Sequence, residues 1–175
     1  MFELTAEEKS KVQEAFDDLM NGLPKNMIKT DREVIKKAYL FASKAHGTEK
    51  RKSGEPYILH PIAVAKIVSE EIGLRTRSIA SALLHDVVED TEYTLEDIEK
   101  EFGQQIRDIV DGLTKITVVI EGDSSLQAST FRKLLLTLVD DVRVILIKLA
   151  DRLPVVCAVF LLWLRAFLHP EGGRF

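Results

Sequence analysis

The chain has 175 residues, 46% of them hydrophobic and 30% charged, a composition typical of one globular domain rather than a disordered or collagen-like chain. Its 24 basic and 28 acidic residues give a net charge of −4, so no overall positive field draws it to nucleic acid or anionic lipid. The single cysteine, Cys157, excludes an internal disulfide, and the acidic N-terminus does not resemble a secretion signal, so we expect a cytoplasmic protein.

Apolar residues recur at helical spacing along most of the chain, which predicts an all-α helical bundle. Two pairs, Thr30 with Glu33 and Thr94 with Asp97, have the spacing of a capping box, which marks a helix start. Helices are expected over residues 5–20, 30–46, 57–72, 77–88, 94–102, 104–113, 131–138 and 142–153.

Three segments depart from the helical pattern. The polar, basic stretch 48–56 is a predicted surface loop, where ligand contacts tend to lie. The β-branched residues of 114–122 favour one short extended segment or β-hairpin. Residues 155–164 are ten apolar residues in a row, well short of the roughly 20 needed to cross a bilayer.

Four residues from three separate stretches of the chain are candidate metal ligands and are called the ligand quartet: His60, the adjacent pair His85 and Asp86, and Asp151. Two imidazoles with two carboxylates suit a divalent ion such as manganese, iron or zinc, and the lack of a usable cysteine excludes a thiolate site. Neighbouring residues diverge by about 100° around a helix, so His85 and Asp86 can share an ion only at a helix end or kink. The apolar pattern breaks at this point.

Each of these residues also has a purely structural interpretation. His60 precedes Pro61 and could simply cap a helix start, and Asp151 could form a surface ion pair with Arg152. The acidic run that follows His85 is harder to explain in this way, because negative charge at a helix C-terminus opposes the macrodipole. A bound cation removes that objection.

Two further groups of residues suggest what the ion would do. The acidic pair, Glu89 and Asp90, lies one helical turn beyond His85 and Asp86, where it would orient or deprotonate an attacking water. Three consecutive loop residues, called the loop triad, are Arg51, Lys52 and Ser53. They offer two cations and a hydroxyl to phosphate oxygens. A basic loop is often only solvated, but in combination these groups predict metal-assisted hydrolysis of a phosphoester.

Five motifs occur within about residues 30–153: Ala45-His46, RKSGEPYILHP, ALLHDVVEDT, VDGLTKI and RVILIKLADRL. Together they resemble the hydrolase domain of the RelA/SpoT family, the bacterial alarmone enzymes of the stringent response, which belong to the histidine-aspartate metal phosphohydrolases. The resemblance implies an α-helical domain that uses one manganese ion to remove the 3′-diphosphate from guanosine 3′,5′-bis(diphosphate), or from its pentaphosphate relative. The products would be pyrophosphate and GDP or GTP.

The resemblance also implies roles for individual residues, and they match those suggested by spacing. The ligand quartet would hold the manganese ion, and the acidic pair would serve the attacking water. The loop triad would contact the phosphates and the nucleobase, with Arg51 placed to stack or bridge.

The chain departs from the family after Leu153. The family motif continues with His-Asn-Met-Arg, whose Asn contacts the guanine ring, whereas this chain continues with Pro-Val-Val-Cys. Pro154 is expected to end or kink the helix that carries Asp151. The expected organisation is an N-terminal helix and linker (1–29), the hydrolase domain (30–153) and a foreign or out-of-frame tail (154–175) on a truncated bifunctional enzyme, whose native form carries a synthetase domain.

Two alternatives remain open from the sequence. Because the changed end removes a nucleoside contact, the chain could be a catalytically impaired fragment that binds metal or alarmone. Other histidine-aspartate phosphohydrolases act on different nucleotides, so the substrate could also differ. The expected partner is a guanosine bis-diphosphate nucleotide, with no nucleic acid and no membrane, and the sequence does not indicate an oligomeric state.

Overall fold

The computed structural model describes residues 4–121 and 141–152, with the side chains of residues 4–115 and 141–152. In these ranges the chain is helical and holds no strand, only one isolated bridge between Lys50 and Pro56. The helices are α1 (Ala6–Gly22), α2 (Lys29–His46), α3 (Leu59–Glu70), α4 (Thr76–Leu84), α5 (Val87–Asp90), α6 (Leu95–Phe102) and α7 (Gln104–Glu121), followed by a helix over residues 142–152.

This architecture confirms the predicted all-α class. Among the described helices, none combines the length and the apolar character needed to span a bilayer. The helix predicted over 131–138 and the apolar tail (154–175) lie outside the described residues.

The centre of the core is α4, which packs against α2, α3 and α7. Every residue of α4 from Ser78 to Leu84 is buried, in agreement with its nearly all-round apolar sequence. Three surrounding helices therefore hold α4 in place. The chain that leaves its C-terminal end starts from a fixed position, and His85 and Asp86 are the first residues to follow.

The N-terminal helix shares this core. α1 packs against α3 and buries Val12, Phe16 and Leu19. The ring of Phe16 stacks on Tyr39 of α2, with 3.8 Å between the ring centroids. These three residues are spaced four and three positions apart and form one apolar face. The packing of that face explains why the helix forms where the sequence predicted it.

The capping box predicted at Thr30 and Glu33 is wrong, because α2 begins at Lys29 and Thr30 already lies inside its first turn. Its N-cap is Ile28, which makes no side-chain capping bond. The Ile28 carbonyl accepts the amide of Arg32 at 3.3 Å, which closes the first turn around Thr30. The Arg32 guanidinium also donates to the Met20 carbonyl at 2.9 Å, near the end of α1. This tertiary contact helps to hold the start of α2, and it is invisible in the local sequence.

The extended segment or hairpin predicted near 114–122 is also wrong, because residues 114–121 continue α7. The helix is already established by Ile109 and Leu113, which are 1% exposed and lie on one face of it. β-Branched residues favour strands mainly where a neighbouring strand can pair with them, and the described ranges offer none. By contrast, the capping box predicted at Thr94 and Asp97 is confirmed at the start of α6.

The 142–152 helix carries Asp151, and it enters the core beside a glycine of α7. Its buried residues Val144, Ile147 and Ala150 recur at three-residue spacing. A Cβ atom added to Gly112 would lie 2.9 Å from Val144 Cγ2 and 3.2 Å from Val144 Cγ1. The missing side chain at Gly112 therefore allows the two helices to approach closely.

We expect Gly112→Ala to lower the free energy of unfolding by about 1–2 kcal/mol, measured by urea denaturation. Alanine favours the helix over glycine by about 1 kcal/mol, but the contact with the stiff Val144 side chain outweighs that gain. The double variant Gly112→Ala/Val144→Ala should lose less free energy of unfolding than the two single variants lose together, because the Val144 methyl groups that clash with the new Cβ are absent. A Gly112→Ala protein more stable than the original chain would contradict this packing.

Candidate metal centre

The candidate site begins where α4 ends. The chain leaves α4 after Leu84 and re-enters helical structure only at Val87 of α5, so His85 and Asp86 occupy a turn between two helices. The His85 imidazole turns back along α4, and its Nδ1 lies 2.8 Å from the Ala82 carbonyl oxygen. This is the helix end at which two neighbouring residues can face one point.

The four residues of the ligand quartet converge from three separate elements. The possible ligand atoms of His60, on α3, and of His85 and Asp86 all lie within 4.8 Å of one another. Asp151, on the 142–152 helix, places its Oδ1 3.0 Å from His60 Nε2 and 3.6 Å from His85 Nε2. The structure thus brings together all four residues that the sequence selected.

The donor atoms face inward in a way that fits a divalent cation. Asp86 Oδ1 lies 3.0 Å from His85 Nε2, and Asp86 Oδ2 lies 3.8 Å from His60 Nε2. The His85 side chain is 1% exposed, yet its Nε2 makes no well-aligned hydrogen bond. Two imidazole nitrogens and two carboxylates suit such an ion, which would satisfy this buried nitrogen.

The hydrogen bond at the other ring nitrogen prepares His85 for this role. A carbonyl oxygen can only accept, so Nδ1 must carry the hydrogen that is donated to Ala82. In the neutral ring the lone pair then lies on Nε2, the nitrogen that faces Asp86 and Asp151. A backbone carbonyl that fixes ring orientation and tautomer in this manner is common behind metal-binding histidines.

The buried charges shift one another's pKa values strongly. Burial lowers the pKa of His85, but the carboxylates of Asp151 and Asp86 outweigh burial and raise this pKa to about 10. Burial raises the pKa of Asp86, and the nearby His85 imidazole outweighs it, so that this pKa falls to about 2. Burial also raises the pKa of Asp151, but the His60 and His85 imidazoles outweigh burial and hold this pKa far below its usual range. Both carboxylates are therefore ionised at neutral pH.

Two residues that the sequence analysis did not select touch the quartet. The Tyr57 hydroxyl donates to Asp86 Oδ2 at 2.7 Å, and the Lys148 ammonium lies 3.1 Å from Asp151 Oδ2. The Lys148 side chain is only 9% exposed, which is unusual for a lysine. Spacing could have indicated both residues, because each precedes a quartet residue by three positions, and Lys148 interrupts an otherwise apolar run.

The acidic pair lies on α5, next to the quartet. Both carboxylates are exposed, and Asp90 Oδ2 accepts a hydrogen bond from the Tyr57 hydroxyl at 2.8 Å. Tyr57 therefore joins Asp90 to Asp86. Glu89 lies on the same short helix.

The loop triad lies in a tightly closed turn beside the quartet. The Arg51 amide donates to the Glu55 carbonyl at 2.9 Å, and Gly54, with φ of 88°, donates back to the Arg51 carbonyl at 2.8 Å. The triad is exposed and lines a cleft of about 550 Å³ that also includes Tyr57. Tyr57 thus lines the basic cleft and also contacts Asp86 of the quartet.

Comparison with known proteins supports this interpretation. Residues 38–158 match the family described as "HD domain". The guanosine-3′,5′-bis(diphosphate) 3′-pyrophosphohydrolase of Vibrio cholerae is 43% identical over 140 residues, which cover 79% of this chain and 20% of that protein. The bifunctional (p)ppGpp synthase/hydrolase SpoT of Escherichia coli is 46% identical over 131 residues, which cover 74% of this chain and 18% of that protein.

One solved structure has a similar fold. It comes from a study of a metazoan ortholog of SpoT that hydrolyses ppGpp, and it superposes with a TM-score of 0.52 at 32% identity. The match covers 69% of this chain and 66% of that one. The chain spans about a fifth of the length of the curated relatives it matches.

We expect the affinity of the quartet for a divalent cation, with Mn²⁺ as the probe, to rise with pH. Without the ion, the pKa of His85 is about 10, so a ligand at Nε2 must displace a proton at any lower pH. If one proton leaves, the dissociation constant should fall about tenfold per pH unit between about pH 6 and 8. Isothermal titration calorimetry in buffers of different ionisation enthalpy measures both the affinity and the proton count.

A matched control for this measurement is Asp108→Asn. Asp108 is an exposed carboxylate on α7, ion-paired with Arg107 at 2.9 Å and remote from the quartet in the chain. This variant should keep both the Mn²⁺ affinity and the proton release. An affinity for Mn²⁺ that does not change with pH would contradict direct binding to His85.

Proposed function

This chain belongs to the HD domain family, and on that premise we propose that it hydrolyses guanosine 3′,5′-bis(diphosphate) or its pentaphosphate relative. The products would be pyrophosphate and GDP or GTP. Relatives from Vibrio cholerae and Escherichia coli that are named for this hydrolysis, at 43% and 46% identity, support the proposal. The observation that carries it is the convergence of the ligand quartet beside a basic cleft.

The quartet would hold one Mn²⁺ ion. Its donor set suits a divalent ion of this kind, and the RelA/SpoT resemblance favours manganese over zinc and iron. When bound, the ion would supply a Lewis acid that lowers the pKa of a water and polarises the diphosphate.

The chain's own residues would do the rest of the chemistry. Asp90 stands beside Asp86, where its carboxylate can accept the proton of the attacking water, while Glu89 orients that water. The water oxygen attacks the phosphorus that is attached to the 3′-oxygen. A bond forms between the water oxygen and phosphorus, and the bond between phosphorus and the 3′-oxygen breaks. The 3′-oxygen leaves with the bonding electrons and takes up a proton to become the hydroxyl of GDP or GTP.

The loop triad would bind the substrate's phosphates. Arg51 and Lys52 are exposed cations at the cleft, and Ser53 adds a hydroxyl donor. Charge-assisted hydrogen bonds from these groups would offset the charge that develops on the diphosphate under attack. The cleft of about 550 Å³ lies within the usual range for a small-molecule site, about 300–1,000 Å³.

Several expectations about the wider protein stay predictions. We propose that a synthetase domain follows in the native protein, since the E. coli relative is named a synthase/hydrolase and this chain covers 18% of it. The division into residues 1–29, 30–153 and 154–175, the foreign origin of the last segment and the cytoplasmic location are likewise predictions.

A second candidate function follows from the chain after Leu153. Pro-Val stands where the family has His-Asn, and the resemblance implies that this chain would lack the nucleoside contact of that Asn. The chain would then bind Mn²⁺ and nucleotide without turning the nucleotide over. A third candidate, hydrolysis of another nucleotide, uses the same quartet with a different base contact.

We expect Asp86→Asn to reduce pyrophosphate release from guanosine 3′,5′-bis(diphosphate) at least about 100-fold, because it removes an anionic ligand from the quartet. Pyrophosphate release by the purified chain at saturating Mn²⁺ is the measurement. The control Asp108→Asn makes the same change at an exposed site on α7 and should retain activity. Undiminished turnover by Asp86→Asn would refute the proposal.

The same assay separates the other candidates. Nucleotide binding by the original chain without pyrophosphate release would support the binding module. Activity confined to another member of a nucleotide panel would support the third candidate.

We expect Lys52→Gln to raise the KM about tenfold, because a charge-assisted hydrogen bond to phosphate contributes about 1.5–3 kcal/mol. The matched control is Lys50→Gln. Lys50 lines the same cleft, but its ammonium is already paired with the Glu8 carboxylate, so its loss should change the KM less. Steady-state kinetics at several salt concentrations provide the test, and equal KM values for the two variants would contradict the assigned role of Lys52.

A further inference from the structure

We propose that Tyr57 is a positioning residue of this site, whose hydroxyl holds the carboxylates of Asp86 and Asp90 in the orientation that metal binding and water activation require. The roles of these two carboxylates rest on the proposed function. The position of Tyr57 between them does not.

The Tyr57 hydroxyl lies between two like charges. Its single hydrogen is shared between Asp86 Oδ2, at 2.7 Å from the hydroxyl oxygen, and Asp90 Oδ2, at 2.8 Å. Asp86 and Asp90 are four residues apart and joined by a backbone hydrogen bond of 2.9 Å, a spacing at which like charges repel. The positive end of the O–H dipole, placed between the carboxylates, offsets this repulsion.

The hydroxyl contacts Asp86 Oδ2, the oxygen that also lies 3.8 Å from His60 Nε2. Asp86 Oδ1 faces His85 Nε2 at 3.0 Å, whereas Oδ2 receives the Tyr57 hydrogen bond. The carboxylate is therefore held at both ends, and one oxygen remains directed into the quartet. A ligand held in this way loses less conformational freedom when an ion binds.

The Tyr57 ring is itself fixed by its neighbours. It stacks on the His46 imidazole with 4.5 Å between centroids and 28° between planes, and the His46 side chain is 1% exposed. Its edge meets His60 at a centroid distance of 6.2 Å and an angle of 81°. The Tyr57 amide donates to the Glu49 carbonyl at 2.8 Å, which also anchors the backbone. Ring and backbone contacts together place the hydroxyl independently of the carboxylates.

The test replaces Tyr57 with Phe, which removes one oxygen and keeps the ring and its stacking. We expect the Mn²⁺ affinity, measured by calorimetry without nucleotide, to fall about tenfold. We also expect kcat for pyrophosphate release to fall about tenfold while KM changes less than about twofold, because the hydroxyl acts on the carboxylates and not on the substrate.

The matched control is Tyr39→Phe. Tyr39 is a buried tyrosine on α2, stacked on Phe16, and the variant removes the same hydroxyl away from the quartet. It should match the original chain in Mn²⁺ affinity, kcat and KM. Far-ultraviolet circular dichroism and melting temperature establish that both variants are folded.

A double-mutant cycle tests whether Tyr57 acts through Asp90. We expect Tyr57→Phe/Asp90→Asn to lose no more kcat than the more damaging single variant, since both changes disrupt one unit. Losses that multiply, or a raised KM with unchanged kcat and Mn²⁺ affinity, would overturn the inference and make Tyr57 a substrate contact only.

The two readouts keep this inference separate from the proposed function. If the original chain binds Mn²⁺ but releases no pyrophosphate, the proposed function fails, and the tenfold loss of Mn²⁺ affinity in Tyr57→Phe still supports the positioning role. If the original chain is active and Tyr57→Phe keeps both its Mn²⁺ affinity and its kcat, the inference fails alone. An original chain that binds no Mn²⁺ overturns both.

Discussion

The site depends on carboxylates that face imidazoles at the end of a buried apolar helix. Charged groups are costly to bury unless they face partners, and here the Asp86 and Asp151 carboxylates face the imidazoles of His60 and His85. This attraction joins α3, the end of α4 and the 142–152 helix at one point. The surrounding core strengthens the attraction, because His85 lies where little water can screen it.

Three groups around the quartet each contact one nitrogen or oxygen of a quartet residue. Ala82 accepts from His85 Nδ1, Tyr57 donates to Asp86 Oδ2, and Lys148 pairs with Asp151 Oδ2. In each case the remaining nitrogen or oxygen points toward the other members of the quartet. An arrangement of this kind holds the donor atoms ready before any ligand arrives, which reduces the cost of ordering them later.

Tyr57 also connects the two halves of the proposed active site. Its ring borders the basic cleft that includes Arg51, and its hydroxyl contacts both Asp86 and Asp90. Phosphate binding and water activation would therefore take place on either side of one side chain. The closed turn at Gly54 holds the backbone of the loop triad by hydrogen bonds, although the triad itself is exposed.

The amino-acid sequence determined the class of fold and the identity of the quartet. A neighbouring His85 and Asp86 after an apolar run require a helix end, and His60 and Asp151 supply the complementary donors, so residue type and local order carried this information. Only the tertiary structure decided where α2 starts, that residues 114–121 are helical, and that Tyr57 and Lys148 touch the quartet. These features depend on contacts between segments distant in the chain, and local propensities are too weak to determine them.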